Sequence, residues 1–330
     1  MGRRRCGWSR GQALALAALL LGALVAVGAL ALDVGRAQME RRTLAKAADA
    51  AALAGVQRLP FDPAGARQEA LRYASLNAPG REAEAAVSFD LSAITVTVRS
   101  PSFRLYLGAV LGRDALSLQK RATAAVRSVV EADGVMPWGL RESARQSASY
   151  GSVVTLKYDS QDAVGSDFGA LSIGGAGASN YRQNIVDGAR VRVGSVYEVE
   201  PGNMVGPTRQ GLTQRLSATD PACSSFDQVF EYDSQARVWR FKTPRCNPWS
   251  GEGAGSKRVV LVPVVDDPTG GGRGEVVPRG FALLFLEGLD SCSGSSCQVR
   301  ARFVVAAGDV RAVLGPYAPG TDLMATGLVE

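Results

Sequence analysis

The feature that most constrains this chain is an unbroken apolar run, Ala13 to Leu32, built from Ala, Leu, Val and Gly without a charge. As a helix rising 1.5 Å per residue it reaches about 30 Å, the thickness of a bilayer's hydrocarbon core, so it predicts a transmembrane helix over residues 13–32. Arg3, Arg4, Arg5 and Arg10 stand in front of it. Cations resist translocation, which predicts a cytoplasmic basic tail over residues 1–12 and an extracytoplasmic chain from Asp33 onward. A cleaved secretory signal has the same order of regions, and Ala29-Leu30-Ala31 resembles a peptidase site. The run exceeds the signal core of about 7 to 15 residues, however, and helical patterning continues beyond it, which favours a retained anchor.

From Asp33 to Leu59, Leu44, Ala48, Ala51 and Gly55 recur every three or four residues, while Glu40, Arg41, Arg42 and Lys46 point elsewhere. This predicts an amphipathic, alanine-rich extension of the membrane helix, stopped by Pro60 and Pro63. Small side chains at Ala45, Ala48 and Ala52, with Val56, leave a shallow groove. A partner helix or the chain's own domain can fill it, and the stripe is expected to contribute to association with a partner helix in the membrane plane. A second helix is predicted over Ala64–Asn77, ending at Ala78-Pro79-Gly80. Alternation at Val87, Phe89 and Leu91, then at Ile94, Val96 and Val98, predicts two strands. Phe103, Leu107 and Leu111 at four-residue spacing predict a short helix. Residues 33–130 thus form a small α/β module.

Beyond Gly134, short apolar runs alternate with Gly, Pro, Ser and Asn, which predicts a mainly antiparallel β domain over residues 131–330 and an α+β chain as a whole. Strands are expected at 153–158, 169–173, 190–196, 238–242, 258–265, 281–287 and 298–305. Phe281 to Leu286 is apolar throughout and belongs at the centre of the core. The Gly270–Gly274 stretch reads as a connection between strands. Cys223, Cys246, Cys292 and Cys297 all follow the anchor, and an even count on an oxidising side predicts two disulfides. Of the three pairings, near neighbours close most easily, which favours Cys223 with Cys246 and Cys292 with Cys297. Cys6, ahead of the apolar run, reads as a reduced thiol.

The chemistry-bearing patterns are weak. The net charge of +6 owes much to the N-terminal arginines, and the remaining cations lack aromatic interleaving, so no nucleic-acid partner is expected. With no His in the chain, Ser-His-Asp and Cys-His sites cannot form, and neither a metal site nor a cofactor is expected. Ser117 and Lys120 fit the Ser-x-x-Lys spacing of acyl-enzyme nucleophiles, without its companion motifs. Gly174 to Asn180 is rich in glycine but lacks the spacing of a dinucleotide or phosphate loop, so it reads as a turn. Asp159, Asp162, Asp266 and Asp267 offer oxygens without calcium-loop spacing and read as turn formers. Trp138, Trp239 and Trp249 could stack on sugar rings, though core packing is the stronger reading.

The stretch Arg10–Gly55 resembles the N-terminal segment of TadE/TadG-like Flp pilus-assembly proteins. Arg-Gly-Gln stands before the apolar helix, Asp33-Val34-Gly35-Arg36 marks its exit, and Ala47–Gly55 reads Ala-Ala-Asp-Ala-Ala-Ala-Leu-Ala-Gly. The piece from Phe103 to Val126 is similar to the close of that family's first module. Segments Phe168–Leu171 and Gly202–Thr208 resemble uncharacterised C-terminal regions of such proteins. The resemblance implies a non-enzymatic envelope component of Flp or tight-adherence pilus assembly. Its partners would be the lipid bilayer and other pilus-assembly or pilin-like subunits, with self-association left open. The rival reading is a surface-anchored binding or adhesion module for sugar or protein. Two departures narrow the resemblance: Gln12 after Gly11 and Leu16 at the fifth position lack the glutamate of a processed pilin. Cys292 and Gly294 stand where a von Willebrand A metal site needs serines after the Phe281–Asp290 strand.

Overall fold

The computed structural model describes residues 10–106, 108, 112, 114–162, 165–234, 237–252, 255–266, 274–307, 312–318 and 322–329. The chain divides into two units: unit 1 comprises Met1–Gln57, Pro63–Ala124 and Leu328–Glu330, and unit 2 comprises Arg58–Asp62 and Ala125–Gly327.

In unit 1 a single helix, α1 (Arg10–Val56), contains both the apolar run and its extension. No residue from Leu14 to Leu32 is buried, and Leu14, Leu19, Leu24 and Val27 are each exposed by more than 60%. Burial begins at Asp33 and then follows the helical period through Ala37, Leu44, Ala47, Ala48, Ala51, Ala52 and Val56. Helix α2 (Pro63–Asn77) starts on a proline, whose missing N–H costs nothing in a first turn, and ends before Gly80 at φ 72°. It buries Ala66, Ala70 and Ala74. A Cβ added at Gly55 would lie 2.9 Å from the Ala66 carbonyl oxygen and 3.0 Å from the Ala70 Cβ. At Gly55 the α1 and α2 backbones therefore meet through small residues. Strand β1 (Glu82–Val87) pairs antiparallel with β2 (Ala93–Arg104), in register from Glu82 opposite Arg99 to Val87 opposite Ile94. Ile94, Val96 and Val98 form the buried face of β2.

Two local expectations fail here. Strand β1 ends at Val87, and Phe89 and Leu91 lie in a turn, with Leu91 at φ 58° and Phe89 fully exposed. Asp90 explains this. Its carboxylate accepts from the Ser88 and Ser92 hydroxyls at 2.6 and 2.7 Å and from the Ser92 N–H at 3.2 Å, locking a turn that apolar alternation alone does not reveal. Phe103, expected on a short helix, ends β2 instead, and Leu107 and Leu111 lie outside the described residues.

Strand β3 (Ala115–Val135) runs across the division between units. In unit 2 it is followed by β4 (Trp138–Arg141), the short α3 (Glu142–Ser147), β5 (Val153–Asp159), β6 (Phe168–Ser172), α4 (Ala178–Asp187), β7 (Ala189–Arg192), β8 (Tyr197–Val199) and α5 (Val205–Ser217). Next come α6 (Phe226–Val229), β9 (Phe230–Asp233), β10 (Val238–Phe241), β11 (Val259–Val265), β12 (Glu275–Val276), β13 (Gly280–Ser293), β14 (Ser296–Val304), β15 (Ala306–Ala307), β16 (Ala312–Gly315) and β17 (Leu323–Val329). The central ladder runs β5, β14, β13, β11 with antiparallel neighbours, and β11 continues it in parallel to β4, which pairs antiparallel with β6. The mainly antiparallel β region is as expected.

Phe281 to Leu286 is buried throughout because both faces of β11 and β13 are covered. Val260, Val262, Ala282, Leu284 and Leu286 join one core with Trp138, Tyr181, Ile185 and Leu212, beneath α4 and α5. Leu261, Phe281, Leu283 and Phe285 join another with Phe226, Phe230 and the Cys223 and Cys246 side chains. Helices α4 and α5 replace what composition reads as turns and loops. Their signal is the spacing of Tyr181 with Ile185 and of Val205, Thr208, Leu212 and Arg215, all buried.

Candidate functional site

Buried and paired polar side chains gather where α1 passes from bare to buried. Asp33, the first charge after the apolar run, is 5% exposed, and its carboxylate accepts the Tyr106 N–H at 2.7 Å and the Gly108 N–H at 3.3 Å. One turn on, Arg36 donates to the Arg104 carbonyl at 3.3 Å, with its guanidinium 5.1 Å from the Phe103 ring centre and 4.5 Å from that of Tyr106. Another turn on, Glu40 takes the Arg81 guanidinium at 2.5 Å, and that bond holds its carboxyl below the usual range. Three polar side chains, one helical turn apart, thus fasten the rest of unit 1 to α1 just beyond the apolar run. Asp33 and Arg36 were legible only as part of the Asp-Val-Gly-Arg pattern. Their contacts lie about 70 residues away and leave no local sequence signal.

The candidate helix-contact residues are placed plainly. Ala48, Ala52 and Val56 are fully buried inside unit 1, and Ala45 is half-buried. The groove they form is filled by the chain's own α2 and β2, with Ile94 Cδ1 2.8 Å from where a Gly55 Cβ would sit. The chain's own fold covers Ala48, Ala52 and Val56 and leaves Ala45 partly open.

The two cysteine pairs come together in unit 2, Cys223 with Cys246 at a Cα separation of 5.5 Å and Cys292 with Cys297 at 4.0 Å. The first closes the segment over the Phe226 core, and the second faces itself across the β13–β14 hairpin. Trp138 is fully buried and donates to the Tyr181 hydroxyl at 3.1 Å. Trp249 is also buried, while Trp239 is half-buried beside Tyr232 at 5.0 Å.

Ser117 and Lys120 lie three residues apart on β3, where alternation sends them to opposite faces. The glycine turn after β6 does open a helix, α4, contrary to a simple turn. Its Gly177 N–H is taken by both Glu200 oxygens at 2.9 and 3.0 Å, so the chain's own carboxylate sits where an anion would bind. Asp159 accepts the Gln161 N–H at 2.9 Å and Asp162 the Gly165 N–H at 2.8 Å, as turn formers do. Asp266 pairs with Arg279, and Asp267 and residues 270–273 lie outside the described residues, as do Cys6 and Arg3 to Arg5. Among the described residues no three potential metal ligands cluster.

One cluster was not legible at all. Asp322 is 2% exposed. It accepts the Tyr150 hydroxyl at 2.6 Å and lies 3.5 Å from the Arg145 guanidinium, which also pairs with Glu142. Its second oxygen has no hydrogen-bond partner among the described residues. Burial pushes the Asp322 carboxyl up to about 7, against the pull of Tyr150 and Arg145. Burial raises the Tyr150 hydroxyl as well. Nothing in the spacing of residues 142, 145, 150 and 322 announces this group.

No curated protein and no solved structure matches the chain. The family model described as "Putative Flp pilus-assembly TadE/G-like" matches residues 11–58, which are the bare helix, the three polar fastenings along α1 and the alanine-packed extension. What is similar to that family model is therefore helix α1 and the two residues that follow it.

Proposed function

We propose that the chain is a non-enzymatic, membrane-anchored component of Flp pilus assembly, working by tethering and by protein contacts. The observation that carries this is the family match over residues 11–58, on a helix whose first half is bare and whose second half is built into a folded unit. A bare stretch of this length and apolarity is stable in lipid and not in water. The arginines before it orient the N-terminus to the cytoplasm and the chain from Asp33 onward to the far side. Oxidised cysteine pairs in unit 2 suit that compartment. Cross-linking in intact cells, followed by affinity isolation of the full chain from detergent extract, tests the reading. Co-isolation of other pilus-assembly proteins is expected, and their absence alongside an intact, membrane-bound chain would overturn it.

A second reading, a surface-anchored adhesion module, draws on one feature of unit 2. Tyr232 is 52% exposed and packs at a tilt against the half-buried Trp239, an aromatic pair suited to a sugar ring. Saturation-transfer NMR with simple sugars would support it if Tyr232→Ala abolished the transfer.

A further inference from the structure

The depth of one exposed tyrosine is fixed by the covalent chain. The apolar run ends at Leu32, and the next residue, Asp33, holds the Tyr106 N–H at 2.7 Å and the Gly108 N–H at 3.3 Å. If α1 crosses the bilayer, Tyr106 lies within one residue's reach of the surface from which the helix emerges. Its ring is 63% exposed and carries the Arg36 guanidinium 4.5 Å from its centre. Arg104, whose carbonyl Arg36 holds, is exposed beside it. A ring that is apolar in body and polar at its tip, flanked by arginines, suits the boundary between acyl chains and headgroups. The burial of Asp33 fits the same depth, because its carboxylate is solvated by backbone N–H groups rather than by water alone.

The rest of unit 1 supplies an internal ruler. Ile94, at the start of β2, packs at Gly55, and Arg104, at its end, is bonded to Arg36. Ten strand residues cover about 33 Å, and the 19 helix residues between Arg36 and Gly55 cover about 29 Å, so β2 runs the length of the outer helix. The β1–β2 turn with the fully exposed Phe89 is therefore at the far end of unit 1 from Asp33.

We propose that the end of β2 is a second membrane contact, with the Tyr106 ring seated at the headgroup boundary of the bilayer that α1 crosses and Arg36 and Arg104 beside the lipid phosphates. The contact rests on the reading that α1 spans the bilayer. It gives unit 1 a fixed stance on the membrane, where a lone helix would let it swivel.

The test uses the full chain carrying Cys6→Ser, in vesicles of phosphatidylcholine and phosphatidylglycerol. A polarity-sensitive fluorophore is placed on Leu24→Cys, Tyr106→Cys or Phe89→Cys, and quenching by nitroxide lipids labelled near the headgroup or near the chain end is compared. The probe at 24 should be quenched best from the chain end and the probe at 89 hardly at all. The probe at 106 should be quenched at least about twofold more by the headgroup nitroxide than by the chain-end one. A quenched probe at 24 with an unquenched probe at 106 overturns the contact while leaving the span intact. An unquenched probe at 24 overturns the span, and the contact with it. Tyr106 is exposed, and equal protease resistance of the three labelled chains shows that each is folded.

Discussion

The two units solve the same packing problem with opposite side chains. Unit 1 closes α1 on α2 through Ala47, Ala48, Ala51, Ala52, Ala66, Ala70 and Ala74 and leaves the larger Leu71 and Leu76 of α2 on the surface. Unit 2 fills its two cores with Trp138, Phe168, Phe230, Phe281, Phe285 and Phe303, all fully buried. Small residues bury little apolar area but let backbones approach, so unit 1 depends on nothing being enlarged. Unit 2 draws on large apolar area, so it depends on nothing being removed. The family match lies on the first kind of packing, where a repeated small-residue pattern is visible in sequence.

The largest effect expected is in unit 2. Phe285 packs edge-on to Phe226 at 5.5 Å between ring centres, and Phe285→Ala should cost about 3–5 kcal/mol. Hydrogen exchange followed peptide by peptide should show the loss in β11 and β13. Equal loss in α1 and α2 would break the contrast between the units.

Next in size is the longer cysteine loop. Replacing Cys223 and Cys246 by Ser, which opens a loop of sequence separation 23, should cost about 3 kcal/mol in denaturant unfolding. The same change at Cys292 and Cys297, separation 5, should cost about 2 kcal/mol. Peptide mapping of unreduced native protein should recover both pairs, and free thiols at all four positions would contradict the compartment as well as the pairing.

Unit 1 should respond the other way round. Ala52→Leu, inserting bulk at a fully buried site, should cost about 1–3 kcal/mol, while Leu76→Ala on the exposed face should stay within about 0.5 kcal/mol. A stable Ala52→Leu protein with weakened cross-linking to neighbours would instead reinstate a partner helix at this groove.

In their pH dependence the two units should differ in sign. The Asp322 carboxyl is raised from an ordinary 3.8 to about 7 in the folded protein, so the folded state binds more protons between those values. Its contribution to stability is present below about pH 4 and is lost as pH rises to about 7. Asp322→Asn should flatten that slope, and an unchanged slope would remove Asp322 as its cause. Glu40 is held below its ordinary 4.5 by Arg81, so its contribution is present above that value and is lost as pH falls below it. Hydrogen exchange of unit 1 peptides across that range measures it, and Arg81→Gln should abolish the effect.

What was legible divides along the same line. The α1 run, its exit and its alanine stripe are periodic features read over a few turns, and α2 was placed to within one residue of its start. The cysteine pairing followed from separation alone. The Ser88–Ser92 turn was missed because side-chain hydrogen bonds to Asp90 outweighed an apolar alternation. Helices α4 and α5 were missed because a glycine-rich run precedes α4 and a Gly-Pro pair stands in the first turn of α5, and tertiary burial of Tyr181, Ile185 and Leu212 outweighs local propensity. The contacts of Asp33 with Tyr106 and of Asp322 with Tyr150 span 73 and 172 residues, a separation at which composition and periodicity are silent.

The central claim is that α1 crosses the membrane once, with its N-terminus inside and the chain from Asp33 onward outside. An impermeant protease applied to spheroplasts holding the full chain, tagged at either end, tests it most directly. The account predicts that the C-terminal tag is lost while an N-terminal fragment about the length of residues 1–32 survives in the membrane. A protected C-terminal tag, or a digested N-terminal one, would contradict it.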